Sequence, residues 1–373
     1  MNPVITEGNH SRKKVVIIGA GASGLTAAIS AARRGHRVFV IEHMPKGAAK
    51  LLLTGNGKCN FTNTDVGFEH YHRAWSFPSD DLSFRKFLET VLEQFGLEEC
   101  LSFFEEIGVT SCIKHYPYDQ TGYVYPSDLK ASSVRSALLQ ENAALGVDIM
   151  TDTSLCSLQE NETGGFTVGL KQASLSGTET ELSLHADRII LAAGSNAYPA
   201  TGSDNSVYPF LRNLQIAFEP FLPALCALYS KDPLLKELKG QREKGNVRLC
   251  SNDICLVEET GEIQFNEHSL SGIPVMQCSR TASLELKKGR TVSLYVTTDH
   301  LSHSFPVHRT AGFDRSQCCA GGIRLEEVDP ATMHLFRNPE ISLCGEMLDV
   351  DGDCGGYNLH FAWASGFIAG NHI

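Results

Sequence analysis

No stretch of the 373-residue chain approaches the ~20 consecutive apolar residues that would cross a bilayer. No secretory leader is expected either, because residues 1–14 are polar and the apolar run Val15–Ile18 stops at a glycine. A cytoplasmic location with reduced thiols is therefore expected, and the 12 cysteines are read as packing residues rather than a disulfide framework. Positive charge is not in excess either. Lys plus Arg number 32 against 43 Asp plus Glu, a net charge of −11, which argues against a nucleic-acid or anionic-membrane surface. Hydrophobic residues at 42% and charged residues at 20% exclude disorder and leave a soluble protein of two or three domains. What stands out is glycine, 33 residues gathered in a few short clusters.

The first cluster sits in KVVIIGAGASGLTAAISAARRGHRVFVIE, residues 14–42. Val15–Ile18 is an unalternated apolar run, as expected of a parallel strand covered on both faces. Gly19, Gly21 and Gly24 follow as G-x-G-x-x-G, with Ala22 and Ser23 between them opening a helix. The first glycine makes the turn, the second admits a pyrophosphate and the third lets the helix lie close to the sheet. Free N–H groups at the helix start then face the phosphates. Ala27, Ala28, Ala31 and Ala32 continue the helix, Gly35 ends it, and a second strand runs from Arg37 to Ile41. Glu42 closes that strand about 20 residues beyond the glycines, where a carboxylate bonds a ribose, and His43 follows it. Strand, turn, helix, strand and acid agree on a dinucleotide site.

The next segment separates the dinucleotides. A dehydrogenase using NAD would enter another α/β unit, whereas residues 43–63 are a glycine-rich, basic loop of the kind a long FAD needs along its pyrophosphate and flavin. The loop holds Lys50-Leu51 and then Thr54-Gly55-Asn56-Gly57-Lys58-Cys59-Asn60-Phe61-Thr62-Asn63. Far downstream stand Leu191-Ala192-Ala193-Gly194-Ser195-Asn196-Ala197-Tyr198-Pro199-Ala200-Thr201-Gly202-Ser203 and Gly345-Glu346-Met347-Leu348-Asp349-Val350-Asp351-Gly352-Asp353-Cys354-Gly355-Gly356-Tyr357-Asn358-Leu359. Three long motifs in this order resemble the FAD-dependent oxidoreductases related to bacterial dehydro-bile-acid reductase, also called aminoacetone-oxidase-like. Lys58 stands where that family prefers Arg, and His334-Leu335-Phe336-Arg337 departs from its pattern.

The resemblance implies an α/β fold: a Rossmann-like FAD-binding domain of the glutathione-reductase type, interrupted by a β-rich insert. Residues 1–195 and 320–373 would form the discontinuous FAD domain, with a helical flank at about 64–145, and 196–319 the insert. Relatives place a small helical subdomain after the position of Thr297, and this chain has only about twenty residues there before Ala320-Gly321-Gly322. Alternating residues at 247–265 and 283–297 read as strands, and spacing such as Leu88, Val91, Leu92, Phe95 reads as helix over 82–107 and 129–145.

FAD is the expected cofactor, with NAD(P)H as electron donor through the substrate cleft, since no second G-x-G-x-x-G appears. Ala193 and Gly194 would touch the cofactor through backbone. Gly355 and Gly356 would start a helix, Tyr357 to Ala369, whose N–H groups meet the flavin where charge accumulates on reduction. Glu346 or Asp349 would reach ribityl or ribose hydroxyls, with Gly345 beside them among the cofactor-binding residues, and Lys50 and Lys58 would neutralise phosphate or flavin charge. Asn60 and Asn358 would offer amides to the ring edge, with Thr54, Gly55 and Gly57 shaping the loop. Tyr123, Tyr125, Tyr198 and Tyr357 are open as proton donors, and none is singled out.

Other features are discounted. Cys59 is followed after five residues by Thr64, which excludes a C-x4-C flavin redox pair, and Cys250 and Cys255 lie in the insert as strand residues. The vicinal pair Cys318-Cys319 is read as structural. His70, His72, His300, His303 and His308 are read as solvated loop histidines, not metal ligands. By the resemblance, the expected reaction reduces a conjugated C=C bond in a hydrophobic small molecule. An amine oxidase passing electrons to oxygen and a non-catalytic flavin-binding or RNA-associated regulator are the competing readings. The oligomeric state is left open.

Overall fold

Strand β1 (Lys14–Ile18) lies between β2 (Arg37–Ile41) and Arg188–Leu191, parallel to both, so neither edge nor face meets water. That position explains its unbroken apolar run. The full sheet has the order His334–Leu335, Asn338–Leu343, Arg188–Leu191, β1, β2, Asp148–Met150. All neighbours are parallel except the edge pair His334–Leu335 with Asn338–Leu343. These elements belong to a computed structural model that describes residues 12–74, 82–116, 119–174, 177–252 and 254–373.

The two ends of the sequence meet in one layer. Helix α1 (Ala22–Arg33) packs against the C-terminal helix Tyr357–Asn371. The approach is so close that a Cβ on Gly366 would overlap the carbonyl oxygen of Ser23, and one on Gly370 that of Ala27. Helices Leu82–Gln94 and Leu97–Glu106 cover the same core through Phe87, Leu88, Phe95 and Phe104, and Ala131–Ala144 packs on α1. Within this region, however, Thr62–Asn63, Ser111–Tyr116 and Asp119–Pro126 form a three-stranded antiparallel sheet, so the flank at 64–145 is not wholly helical. A three-stranded meander, Thr153–Glu160, Phe166–Ala173 and Glu179–Ala186, is a further addition.

A closed six-stranded barrel occupies 228–310, with strands Leu228–Ser230, Arg242–Ser251, Ile254–Phe265, Ser269–Ser271, Val292–Thr298 and Ser302–Thr310. Val247, Leu249, Ile263, Phe265, Leu294, Val296 and Phe305 fill it, each alternating with an outward neighbour. Residues 283–287 belong to helix Ile273–Lys287, not to a strand, because Val275, Cys278 and Ala282 fall on one helical face that joins the barrel core. Antiparallel strands Phe218–Ala224 and Cys318–Ile323 lead into and out of the barrel. Where the sequence predicts a missing subdomain, Val292–Thr298 and Ser302–Thr310 are joined by a tight turn, closed by the Thr298 N–H donating to Leu301 O at 2.7 Å.

Candidate functional site

A cavity of about 460 Å³ begins at the C-terminal ends of the parallel strands, within the usual range for small-molecule sites. At one end it meets the glycine turn. Gly19, with φ +105°, takes a conformation that suits glycine, and a Cβ on Gly24 would overlap Gly19's carbonyl oxygen. Gly21 differs: φ is −79° and a Cβ there would meet nothing within 4 Å, because it would project into free space. Helix α1 starts at Gly21 with no side-chain cap, which leaves its N–H groups for an anion.

Glu42 stands beside this turn with both oxygens engaged. Oε2 accepts from Ala20 N–H and Oε1 from Met44 N–H, each at 2.8 Å, so the carboxylate braces the glycine loop as well as lining the cavity. His43 closes the same end, with its Nδ1 3.8 Å from Glu42 and its Nε2 3.7 Å from Asp204.

The middle of the cavity is the loop Lys50–Lys58, which carries left-handed backbone at Gly55, Asn56 and Gly57. Thr54, Gly55 and Lys58 line the cavity, whereas Gly57 only shapes the turn. Lys50 is not a free cation: its Nζ pairs with Glu346 at 2.5 Å, and Ser195 Oγ donates to the same carboxylate at 3.3 Å. The two residues expected to act separately therefore form one buried-edge pair on the cavity wall. Ala193 and Gly194 lie alongside, with Tyr208 Oη donating to Gly194 O at 3.1 Å.

The far end is the start of the C-terminal helix. Gly355 and Gly356 line the cavity and no side chain caps the helix. A Cβ on Gly356 would come within 2.6 Å of Thr62 O and 3.0 Å of Asn60 Oδ1. Asn60 is buried and lines the cavity, and its Oδ1 has no hydrogen-bond partner. A buried acceptor left unpaired costs about 1–3 kcal/mol, so this atom calls for an N–H group from a ligand.

Several expected contacts lie elsewhere. Asp349 does not line the cavity; it is buried behind it, where Oδ1 accepts from Ala74 N–H at 2.8 Å and Gly321 N–H at 3.1 Å. Asn358 lines the cavity, but its amide is spent on Gly352, accepting from N–H at 2.9 Å and donating to O at 2.7 Å. Tyr357 is buried outside it, stacked on His70 at 4.3 Å. Gly345 makes a turn whose N–H donates to Ser365 Oγ, and a Cβ there would press on Ser23.

Two histidine readings change. His70 and His72 both point at Asp353, a lining residue, and His303 pairs with Asp232 at 2.8 Å in the barrel. His360, unremarked in the sequence, is buried: Nε2–H donates to Phe95 O at 3.0 Å and Nδ1 accepts from Thr62 Oγ1 at 2.7 Å. Burial drives its pKa down to about 4, so it stays neutral and anchors the helix start. Cys59, Cys318 and Cys319 are buried, and burial pushes each thiol up, so none is a poised thiolate.

The HI0933-like protein Rossmann domain matches residues 13–372 of this chain. The chain belongs to the HI0933-like family. A 3-dehydro-bile acid delta(4,6)-reductase of Clostridium scindens is 31% identical, with 96% of this chain and 98% of that protein covered. That alignment runs over 425 residues, so the relative carries segments that this chain lacks. A ribosomal RNA dihydrouridine synthase of Escherichia coli is 22% identical, with 97% and 98% covered. Among solved structures, the 3-ketosteroid-delta4-(5alpha)-dehydrogenase of Rhodococcus jostii shares the fold with a TM-score of 0.58 at 16% identity, with 99% and 98% covered. Like its relatives, this HI0933-like protein is an FAD-dependent oxidoreductase built on a Rossmann-type domain. No helix among the described residues is long and apolar enough to cross a membrane.

Lining residues to which the sequence assigns no role include Leu53, Leu225, Ile273, Gln317 and, within the C-terminal motif, Asp353. Leu225, Ile273 and Gln317 come from the region of the barrel and its connections, and only folding brings them to the cavity.

Asp349 carries a pH prediction for this family member. Burial raises its carboxyl pKa to about 6, with Asp351 adding to the shift and the two backbone N–H bonds opposing it. The folded chain thus holds this proton more tightly than the unfolded chain, whose value is about 4. The stabilisation is full below about pH 4 and lost as pH rises through about 6, on the order of 3 kcal/mol before relaxation. Asp349→Asn keeps an acceptor for both N–H groups and removes the charge. Urea unfolding at pH 7 should show the variant more stable by roughly 1–3 kcal/mol, with the wild-type decline between pH 4 and 6 flattened.

Proposed function

We propose that the protein reduces a conjugated C=C bond in a hydrophobic small molecule, with NADH or NADPH as electron donor. The observation that carries the reading is one cavity that joins a glycine turn and uncapped helix start at Gly21, an unpaired acceptor at Asn60, a second uncapped helix start at Gly356 and an apolar wall. Leu53 and Ile273 are 49% and 43% exposed at that wall, with Leu225 buried beside them. The names of the two curated relatives described above denote saturation of a carbon–carbon double bond, and one of them names a 3-dehydro-bile acid, a small molecule with an apolar ring system, as its substrate. A net charge of −11 speaks against an RNA substrate here.

FAD, when bound, would supply the hydride chemistry. Gly21 and the start of α1 would hold the pyrophosphate, and Glu42 would meet the adenosine ribose. The Lys50–Glu346 pair would offer hydrogen bonds to the ribityl hydroxyls, and Asn60 Oδ1 would accept from a ring N–H. The start of the C-terminal helix presents positive potential where a reduced ring carries negative charge. Leu53, Leu225 and Ile273 would exclude water from the substrate side. In this reading residues 1–195 and 320–373 form the cofactor domain and 196–319 the inserted substrate-side domain.

The test is anaerobic incubation of FAD-loaded protein with NADH or NADPH and a panel of α,β-unsaturated ketones. Nicotinamide oxidation coupled to a product carrying two added hydrogens is expected. Peroxide release from amines in air without nicotinamide use would replace the reading with an amine oxidase.

A further inference from the structure

Saturating a conjugated C=C bond takes a hydride at one carbon and a proton at the other, so the cavity needs an acid that can be refilled at every turnover. Tyr208 and Tyr71 are poor candidates. Each hydroxyl is buried, its pKa pushed well up by burial, and each donates to a backbone carbonyl, Gly194 O and Tyr357 O respectively. Asp353 lines the cavity, as Tyr123, Tyr125, Tyr198 and Tyr208 do, and it is in addition joined to the surface through two histidines. Its Oδ1 is 2.8 Å from His72 Nε2 and its Oδ2 is 3.4 Å from His70 Nδ1. His70 Nε2 lies 3.3 Å from Asp65, whose side chain is 54% exposed.

The geometry is held from several sides. The Asp353 N–H donates to His70 O at 2.9 Å, and strand pairing of Tyr71–His72 with Asp351–Gly352 fixes the two segments together. The His70 ring stacks on Tyr357 at 4.3 Å with 16° between planes. Asp351 adds negative charge nearby but is itself matched by Arg280, whose Nε lies 2.9 Å from its carboxylate. Tyr71 and Tyr357 lie beside the pair, and the Glu69 carboxylate stands within 4.8 Å of the His70 ring and Asp65 as a further negative group.

We propose that Asp353 is the residue that hands the proton to the substrate, and that His70 refills it from the surface by way of Asp65, with His72 positioning the carboxylate. The proposal rests on the reductase reading. The step balances: a dihydronicotinamide is the source of the hydride for one alkene carbon. The other carbon takes its proton through Asp353, which accepts one from His70 Nδ1–H as it gives one to the forming C–H bond, and His70 is then reprotonated from solvent. The charges agree with this order. Burial raises the Asp353 carboxyl, but hydrogen bonds from His70 and His72 outweigh it and hold the group below its ordinary value. Asp353 chiefly raises His70, against the effect of burial. Both shifts favour an imidazolium–carboxylate pair, with the proton held on His70.

Three measurements test it. In single-turnover experiments, Asp353→Asn should slow acceptor reduction roughly 100-fold or more, as expected for loss of a general acid. Flavin reduction by the nicotinamide should stay within about threefold, since it needs no such proton. His70→Gln should slow acceptor reduction on the order of tenfold and remove the wild-type fall in rate as pH rises through the His70 titration. Independently of activity, NMR of the protein without substrate should show the His70 ring titrating at lower pH in Asp353→Asn than in wild type. An Asp353→Asn enzyme with wild-type rate and pH profile, or a His70 titration unmoved by that substitution, overturns the relay. If wild-type protein reduces no unsaturated ketone, the reductase reading fails first and the relay falls with it.

Discussion

Gly21→Leu is expected to abolish tight FAD binding while leaving the protein folded. A side chain at position 21 meets no protein atom within 4 Å at its Cβ, and the backbone at φ −79° suits any residue. Loss of a tolerated helix cap should cost no more than about 1 kcal/mol of stability. The same side chain would occupy the space where a pyrophosphate meets the start of α1. FAD affinity should fall at least about 100-fold, or roughly 2.7 kcal/mol. Calorimetric FAD titration beside a thermal melt measures both, and a variant that keeps wild-type affinity would remove the phosphate site from Gly21.

Gly366→Val should show the opposite separation, losing fold and cofactor together. Position 366 lies 343 residues from Ser23 in sequence, yet a Cβ there would overlap the Ser23 carbonyl oxygen and sit 3.0 Å from its carbon. These are backbone atoms of the first turn of α1 and have no rotamer by which to yield. The C-terminal helix must therefore lift from α1 along the face that Gly370 and Ala27 share. Overpacking of this kind costs about 1–3 kcal/mol or more. Because Ser23 belongs to the turn proposed to hold the pyrophosphate, FAD affinity should fall with stability, and a shifted urea midpoint with unchanged affinity would count against the coupling. Comparing this variant with Gly21→Leu separates a contact with the cofactor from a contact that builds its site.

The contrast also shows why some of the site is legible in sequence and some is not. Gly19, Gly21, Gly24 and Glu42 could be read because a phosphate turn imposes local spacing, and all but Gly24, which packs beneath, line the cavity. The loop at 54–60 and the glycines at 355–356 could be read through the family resemblance, and the structure brings both to the same cavity. Roles inside those motifs were harder to assign. Lys50 and Glu346 stand 296 positions apart, and nothing in either segment says that they pair with each other. Asp349 and Asp353 lie in one motif, yet the first turns behind the cavity and the second faces it. His70 and His72 read as loop residues in sequence because Asp353, the group that organises them, arrives from the other end of the chain. Helix Ile273–Lys287 shows the same limit in the barrel, where residues 283–287 carry no alternation strong enough to tell a strand from a helix end.

The central claim is that one cavity receives FAD lengthwise, adenosine at Glu42 and flavin at Asn60 and the Gly355–Gly356 helix start. A crystal structure of the FAD-loaded protein tests it most directly. The account predicts pyrophosphate density over Gly21, with the isoalloxazine ring between Asn60 and Gly356 and facing Leu53, Ile273 and Asp353. A flavin lying elsewhere, or a purified chain that takes up no FAD at all, would contradict it.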